Sequence, residues 1–227
     1  MSMSVFQRPA ATLSLRLALT TALLSTSVVG LSACAPLLLG GAVVGGAMVA
    51  TDRRTTGIQL EDESIELKAQ ARVRGLATLG SISVTSYNRV LLLTGEVPAQ
   101  ADRARVADVV AGVENVRSVV NELAVTDNSR LGERSRDVWL ATKVKASMVD
   151  AKDLQANAYK VVVDRGIVYL MGRVSEREAA RGTEVARAIP GVQRVVRVFE
   201  ILSEEDLARI GRATATAGAG ADTTPKP

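Results

Sequence analysis

Two stretches of the chain repeat one pattern of apolar and polar positions. Residues 90–97 read VLLLTGEV and residues 167–174 read IVYLMGRV, so each is an apolar run with a glycine two positions before its end. A second predicted strand precedes each copy across a short polar turn at residues 88–89 or 164–166, which is the pattern of a β-hairpin. Because the two hairpins lie 77 positions apart, the chain contains an internal repeat.

Helical patterns flank both hairpins. Apolar residues recur at helical spacing over residues 62–79 and 135–151, ahead of the two hairpins. A second helix follows each hairpin, and its ends are marked by start and stop residues: Pro98, Gly112, Ser175, Glu178, Pro190 and Gly191. The motif G-V-x-x-V at 112–116 and 191–195 then leads into a third strand. The sequence therefore predicts an α+β fold of two tandem α-β-β-α-β modules, each a three-stranded sheet covered by two helices.

The predicted modules span residues 61–126 and 127–202. Polar residues and a glycine at 127–132 interrupt the periodic pattern and mark the boundary between them. Ser203 and Asp206 form a capping-box pattern that opens a short helix through Ile210. The rest of residues 203–227 lacks core-forming side chains, so we expect this tail to be disordered.

Residues 1–33 have the three parts of a bacterial signal peptide. Arg8 and Arg16 give a positive first region, and residues 17–30 form an apolar run. That run is too short for a comfortable membrane-spanning helix, which needs about 20 apolar residues. Small residues then lead to a cysteine, as expected of a cleavage site. We therefore expect residues 1–33 to be removed after export.

The cleavage region matches a bacterial lipobox. Residues 31–34 read LSAC, and in a lipobox the cysteine thiol receives a diacylglycerol before the chain is cut in front of it. We therefore expect Cys34 to become an acylated N-terminus, with palmitate among its chains, followed by a glycine-rich tether over residues 34–60. In the enterobacterial lipoproteins that this segment resembles, Asp after the cysteine retains the protein at the inner membrane. Ala35 stands there instead, which favours the periplasmic leaflet of the outer membrane.

Composition narrows the chemistry available to the mature chain. The sequence has no His and one Cys, which excludes Ser-His and Cys-His catalytic pairs, most zinc sites and an internal disulfide. No pair of acids has the spacing of a catalytic site, such as that of a glycosidase. The net charge of +4 falls to about +2 after loss of the signal peptide, and aromatics are 3% of residues, so nucleic acid is a poor partner. We predict no catalytic activity, no cofactor and no bound metal.

Positive charge is concentrated in the second module. Residues 61–125 hold 7 basic and 9 acidic residues, whereas residues 130–202 hold 14 and 9. The acidic run at 61–63 is interpreted as the N-terminus of a helix complementing its dipole. Arg53 and Arg54 have two interpretations, contact with lipid phosphates or a solvated linker.

Trp139 lies off the apolar stripe of the helix predicted over 135–151. It shares a ridge with Lys143, and Arg136 lies one turn earlier. One hypothesis places the indole in a membrane interface, with Arg136, Lys143 and Lys145 facing headgroup phosphates. The other places Trp139 in the seam between the two modules.

The paired modules, the strand glycines Gly95 and Gly172, and the G-V-x-x-V turns resemble BON domains. Together with the lipobox, they make the chain from Cys34 to about Leu202 similar to dual-BON outer-membrane lipoproteins of the DolP (YraP) type. The resemblance implies a protein that supports outer-membrane integrity and binds anionic phospholipid, such as phosphatidylglycerol or cardiolipin, through its second module. A scaffold that binds envelope assembly proteins is the alternative.

The two copies are not simple duplicates. Asn121 in the last strand of the first module aligns with Glu200 in the second. A ligand that binds both modules equally is therefore not expected.

Overall fold

A computed structural model describes residues 52–76, 80–127 and 131–219. The first module consists of α1 (Thr56–Gly75), β1 (Ser81–Tyr87), β2 (Val90–Val97), α2 (Gln100–Ala111), β3 (Ser118–Asn121) and β4 (Ala124–Val125). The second consists of α3 (Leu131–Asp150), β5 (Tyr159–Asp164), β6 (Ile167–Val174), α4 (Glu176–Arg187) and β7 (Arg194–Ile201), and α5 (Glu204–Ala219) follows it. The predicted signal peptide, Cys34 and the tether through residue 51 lie outside the described residues.

Both modules have the predicted order of elements. In each, the first two strands pair antiparallel, and the last strand returns parallel to the middle one. The parallel partner of β2 is divided into β3 and β4, whereas β7 runs unbroken along β6. The α+β fold of two tandem α-β-β-α-β modules is confirmed, with one interrupted strand in the first module.

The interruption is explained by the residue that distinguishes the two copies. The Asn121 side-chain amide donates to the carbonyl of Arg103 at 2.9 Å, and its oxygen accepts from the amide of Leu123 at 3.2 Å. These bonds hold the chain in a local bend at the end of β3. Glu200 takes the aligned place in the second module, where the strand continues through Ile201.

Helix α1 begins earlier than its sequence pattern predicts. The Thr55 hydroxyl accepts from the amide of Ile58 at 3.3 Å and caps the helix, so residues 56–60 are helical and not part of a tether. Asp62, predicted to lie at the helix N-terminus, is instead buried in the second turn. The helix start predicted from the acidic run is wrong, because Asp62 does not mark the first turn. Its carboxylate instead contacts the hairpin turn of the same module.

In both modules, an aspartate of the first helix accepts hydrogen bonds from the hairpin turn. Three of the four residues in the turns 88–89 and 165–166 are not glycine, yet they have φ of +50° to +65°, as type I′ turns require. The Asp62 carboxylate accepts both amides of the first turn at 2.7 and 2.8 Å, and Asp137 accepts both amides of the second at 2.7 and 2.8 Å. Each module therefore fixes its hairpin to its own first helix through one aspartate.

Each sheet has one face covered by helices and one face packed against the other sheet. Leu91 and Leu93 of β2 point into the core under α1 and α2, while Leu92 between them points the opposite way. The residues between the two sheets are buried or half-buried and nearly all aliphatic or tyrosine: Tyr87, Val90, Leu92, Val120, Val162, Ile167, Tyr169, Met171, Val196 and Val198. The seam between the modules is therefore a sheet-to-sheet core.

Gly95 and Gly172 occupy places where a side chain does not fit. A Cβ on Gly95 would lie 1.9 Å from the carbonyl oxygen of Ser81, and one on Gly172 would lie 2.5 Å from that of Ala158. Gly95 also has φ of +112°, which L-residues rarely adopt. These approaches account for the repeated glycine near the end of each central strand.

The last helix is longer than predicted. The Ser203 hydroxyl accepts from the amide of Asp206 at 3.1 Å, as the capping pattern indicates, but α5 continues to Ala219 instead of ending near residue 210. The prediction of disorder is therefore wrong for residues 211–219. Residues 220–227 lie outside the described part of the chain.

Candidate functional site

Helix α3 separates a core face from an exposed face that carries a tryptophan. Leu140, Val144 and Met148 are buried against the second module, as their spacing predicts. Trp139 lies on the outside with 52% of its surface exposed, and Val138 beside it is exposed as well. Val138 and Trp139 thus place two large apolar side chains next to each other on the exposed face of α3.

A lysine lies over the face of this tryptophan. The Lys143 Nζ is 4.1 Å from the centroid of the Trp139 ring, one helical turn further along α3. This cation-π contact fixes the indole and the ammonium side by side. Arg136 is exposed one turn before Trp139, so the three predicted residues form one ridge of the helix.

The ridge borders a pocket of about 530 Å³. Its walls are α3, the second hairpin turn and the loop after α4, represented by Glu133, Arg136, Asp137, Trp139, Leu140, Arg165, Gly166, Gly191, Val192 and Gln193. Asp137 is engaged with the turn amides, whereas the buried Arg165 Nε has no hydrogen-bond partner within the described residues. The pocket thus combines apolar side chains with two guanidinium groups, from Arg136 and Arg165, and two carboxylates, from Glu133 and Asp137.

Lys145 is not part of this surface. Its Nζ donates to the carbonyl oxygens of Ala156 at 2.6 Å and Tyr159 at 3.2 Å, inside the second module. Burial lowers its pKa from the ordinary value. Lys145 lies six residues after Trp139, which places it on the far side of the helix, so its expected role at headgroup phosphates is wrong.

Trp139 does not fill the seam between the modules. Every residue that lines its pocket belongs to the second module, and the sheet-to-sheet core contains no Trp139 contact. The seam hypothesis for Trp139 is therefore wrong. The indole faces outward.

Within residues 52–76, 80–127 and 131–219, no three acidic, His or Cys side chains are placed to hold a metal ion. In the same ranges, no helix is both long and apolar enough to cross a membrane.

Comparison with known proteins identifies the fold. The BON-domain profile matches residues 61–127 and 136–203, which are the two modules described above. The chain belongs to the BON-domain family. It is 36% identical over 184 residues to outer membrane lipoprotein DolP of Haemophilus influenzae, covering 80% of this chain and 95% of that protein. It is thus a dual-BON protein of the DolP type.

Two further relatives share much of the dual-BON chain. The 21 kDa hemolysin of Actinobacillus pleuropneumoniae is 31% identical over 151 residues, which cover 65% of this chain and 78% of that protein. Osmotically-inducible protein Y of Escherichia coli is 28% identical over 155 residues, which cover 66% and 77%. None of the three names denotes an enzyme.

Arg53 fastens the segment before α1 to the second BON module. Its guanidinium makes two bonds of 2.7 Å to the two carboxylate oxygens of Glu178, and a third of 2.8 Å to the carbonyl of Arg173. Glu178 also belongs to the capping box that starts α4. Burial alone would raise the Glu178 pKa, but the bonds from Arg53 and the Ser175 amide lower it. Neither predicted role of Arg53, at lipid phosphates or in a solvated linker, is correct.

Arg54 fastens the same segment to the first BON module. It donates to Asp52 and Asp62 at 2.7 Å each, and its guanidinium carbon lies 4.2 Å from the centroid of the Tyr87 ring. The sequence does not predict these contacts of Arg54, because two arginines after an apolar tether are equally typical of a membrane-surface segment. The Asp62 role was open to prediction, since Asp62 and Asp137 hold the same place in the aligned first helices.

Glu200 explains why the two BON modules differ. Its carboxylate accepts from the side chain of Asn88 and from Arg117 at 3.1 Å, both in the first module, and from Arg173 at 3.3 Å in its own. The same aligned position therefore has two roles. Asn121 bends the strand in the first module, whereas Glu200 in the second module bonds to the first module.

Proposed function

We propose that this dual-BON protein is anchored by a lipidated Cys34 in the periplasmic leaflet of the outer membrane. There its second BON module docks on anionic phospholipid and supports membrane integrity. The lipobox and the name of the DolP relative support the location. The observation that carries the docking proposal is the exposed Trp139, held against Lys143 and next to Arg136 on α3.

Each member of the ridge has a physical role at a lipid surface. Indole partitions to the membrane-water interface, where its ring meets acyl chains and its N–H stays wet. Lys143 and Arg136 are exposed and cationic, and each basic residue near an anionic surface contributes about 1 kcal/mol. Binding of the isolated module is therefore weak. Anchoring at Cys34 raises the effective concentration of the module at the membrane and with it the occupancy.

The pocket beside Trp139 receives the lipid phosphate in this proposal. Arg136 and Arg165 supply guanidinium donors, and Leu140 and Val192 supply apolar contacts. A phosphate attracts guanidinium groups through charge-assisted hydrogen bonds, whereas a zwitterionic headgroup adds an ammonium that Arg136 repels. Phosphatidylglycerol and cardiolipin are therefore preferred over phosphatidylcholine.

Vesicle flotation of the unlipidated fragment 48–227, the compact unit that holds both modules, tests this proposal. The fragment is expected to float with phosphatidylglycerol or cardiolipin vesicles and not with phosphatidylcholine vesicles. Trp139→Ala and Lys143→Glu should each weaken binding about fivefold or more, equivalent to about 1 kcal/mol. Lys68→Glu, a matched charge reversal on exposed α1, should leave binding unchanged.

A scaffold for envelope assembly proteins is the second candidate. Leu60 and Leu67 are seven residues apart on α1 of the first module and are 63% and 67% exposed, which gives that helix an apolar stripe of its own. If the fragment shows no preference for anionic vesicles, or if neither α3 substitution reduces it while the fold stays intact, the scaffold function takes first place.

Neither function requires catalysis, and we infer that the chain is not an enzyme. The inference follows from the absence of His in the sequence and the use of its one Cys for lipidation. Turnover of phospholipid or peptidoglycan by the pure protein, lost on changing one carboxylate, would overturn it.

A further inference from the structure

Strand β7 forms a free edge of the second sheet. The strand is eight residues long and pairs with β6 along its whole length, and the order of the sheet is β5-β6-β7. An edge strand turns a row of backbone N–H and C=O groups away from its sheet, and such a row is a template for pairing with another strand. The groups that β7 leaves open therefore define a binding surface for an extended chain.

The hydrogen bonds of β6 identify the residues of β7 whose backbone groups face outward. Asp164 and Ile167 close the second hairpin, so odd-numbered residues of β6 bond to β5 and even-numbered ones bond to β7. The amide of Leu202 accordingly donates to the carbonyl of Val174 at 2.9 Å. In this register, the even-numbered residues of β7 bond to β6. The odd-numbered residues turn their backbone groups to the free edge: Val195, Arg197, Phe199 and Ile201.

Each of the other three edge strands has an outward backbone group that a side chain covers. Glu66 accepts from the amide of Ser86 and Lys160 donates to its carbonyl on β1, Lys145 donates to the carbonyl of Tyr159 on β5, and Arg103 donates to the carbonyl of Asn121 on β3, at 2.7 to 3.2 Å. Charged side chains at these places protect an edge from pairing. The four outward residues of β7 have no such bond within residues 52–76, 80–127 and 131–219, so β7 is an unprotected edge.

A groove of about 340 Å³ lies beside this edge, between β7 and the start of β3. Val120 of the first module and Val196 and Val198 of the second give it apolar walls. Val195 and Phe199 pack on the opposite face of β7, in the helix-covered core, and Arg197 between them shares that face. A strand added to β7 would therefore alternate its side chains between the groove and the side of Arg197.

The charge around this edge is positive. Three arginines share two glutamates at 3.1 to 3.3 Å: Arg117 and Arg173 with Glu200, and Arg194 with Glu122. Arg197 is exposed and has no ion pair in the described part of the chain, so the excess is two positive charges. Acidic side chains on an added strand complement this excess. A second copy of β7 would instead bring its own arginines to the same place, and like charges on paired strands repel.

We propose that β7 binds an extended acidic peptide segment of a partner protein as an added strand. Acidic side chains of the segment lie on the side of Arg197, and apolar side chains alternate with them and enter the groove. Main-chain hydrogen bonds to the four outward residues supply affinity, and the alternating side chains supply specificity. The edge does not include Trp139, so the site does not depend on the proposed phospholipid surface.

A labelled peptide and the full lipidated chain in phosphatidylcholine nanodiscs test the proposal. The peptide is acetylated, has the length of β7 and alternates glutamate with valine. Its fluorescence anisotropy should rise saturably with the chain, whereas a peptide that alternates lysine with valine should not bind. Arg197→Glu should weaken binding of the acidic peptide about fivefold or more. Arg187→Glu, a matched reversal of an exposed arginine on α4, should leave binding unchanged.

Backbone pairing is tested by methylating the peptide nitrogens. Methyl groups on the glutamates remove the N–H donors from one edge of the peptide, and methyl groups on the valines remove them from the other. One of these two peptides should lose binding and the other should keep it. Amide hydrogen exchange gives the matching result on the protein. Saturating peptide should slow exchange at the four outward residues about tenfold or more, and should not change Val196 and Val198, which already bond to β6.

Several results would overturn the site. They are no saturable binding of the acidic peptide, equal binding of the lysine peptide, equal binding of both methylated peptides, or unchanged affinity in Arg197→Glu. Slow exchange of the outward amides without peptide would show that a second copy or another segment of the chain already pairs with β7, and would overturn the peptide as occupant. Trp139→Ala should leave peptide binding intact, so failure of this site and failure of phospholipid docking are distinguishable.

Discussion

At the residue scale, Asp62 holds together three parts of the first module. It is buried in α1 and accepts hydrogen bonds from the Ser86 hydroxyl, both amides of the turn at 88–89, and Arg54. Burial alone would raise its pKa, but these donors outweigh burial and lower it. The carboxylate therefore stays ionised in the folded protein, and that contribution to stability is lost only as the pH falls through its depressed pKa.

Replacing this carboxylate should destabilise the whole fold. Asp62→Asn keeps the size of the side chain but removes the charge that Arg54 and the turn amides bind, so we expect a loss of about 3 kcal/mol in the free energy of unfolding. Urea unfolding of the fragment 48–227 measures it. Glu63→Gln, the exposed neighbour, should change stability by less than about 0.5 kcal/mol. Equal effects of the two substitutions would contradict the role assigned to Asp62.

In the proposed function, the membrane location depends on the lipidation of Cys34. Two or three acyl chains anchor a protein stably, whereas one gives marginal binding. Cys34→Ser should therefore abolish labelling by radioactive palmitate in cells and release any processed chain from the membrane fraction. Unchanged labelling would refute the lipobox assignment.

Sequence patterns predict the positions of some functional side chains and miss the contacts of others. Helical spacing identified Trp139, Lys143 and Arg136 as one exposed ridge, because that follows from helix geometry alone. The role predicted for Lys145 is wrong. Lys145 is basic and close to Trp139 in the sequence, but helix geometry places it on another side of α3, where it donates to carbonyls of its own module. The bonds of Arg53 to Glu178 join residues 125 positions apart, and such a contact leaves no periodic signal.

At the element scale, α3 has one face packed in the core and an opposite, exposed face that we propose for binding. Leu140→Ala should cost about 3 kcal/mol, because it leaves a cavity in the core of the second module. Trp139→Ala should cost less than about 1 kcal/mol, because half the side chain is already in water. Thermal and urea unfolding of both variants checks this. A loss at Trp139 as large as that at Leu140 would make the indole a structural residue.

The strands were predictable because two independent signals agreed for each. Apolar runs and polar turns marked the hairpins, and the internal repeat supplied the second copy of each element. Helix ends were less predictable. The start of α1 depends on the Thr55 cap, and the length of α5 exceeds what its few apolar residues indicate.

At the scale of the whole molecule, the two sheets pack face to face and Arg53 joins the N-terminal segment to α4. Arg53→Ala would leave the Glu178 carboxylate buried without its cation, so we expect a loss of about 3 kcal/mol in unfolding free energy. Arg53→Lys should recover only part of it, since one ammonium cannot make both 2.7 Å bonds. Urea unfolding of both variants beside wild type measures the difference. Wild-type stability in Arg53→Ala would show that this junction does not hold the modules.

The division of charge between the modules agrees with one module facing the membrane. The second module has an excess of basic residues and carries the Trp139 ridge, whereas acidic residues outnumber basic ones in the first module, which it contacts through Glu200 and the sheet core. Binding that depends on such surface charges weakens as salt screens them over about 8 Å at physiological ionic strength.

The most direct test is an NMR map of the ¹⁵N-labelled fragment 48–227 titrated with phosphatidylglycerol bicelles. The chain has one tryptophan, so the indole N–H of Trp139 is a single, unambiguous resonance. We predict that this resonance, the amides of residues 133–143 and those of the hairpin turn at 165–166 shift together, while α1 and the sheet-to-sheet core do not. Shifts confined to α1 or the seam, or equal shifts with phosphatidylcholine bicelles, would contradict docking on anionic phospholipid through the second BON module.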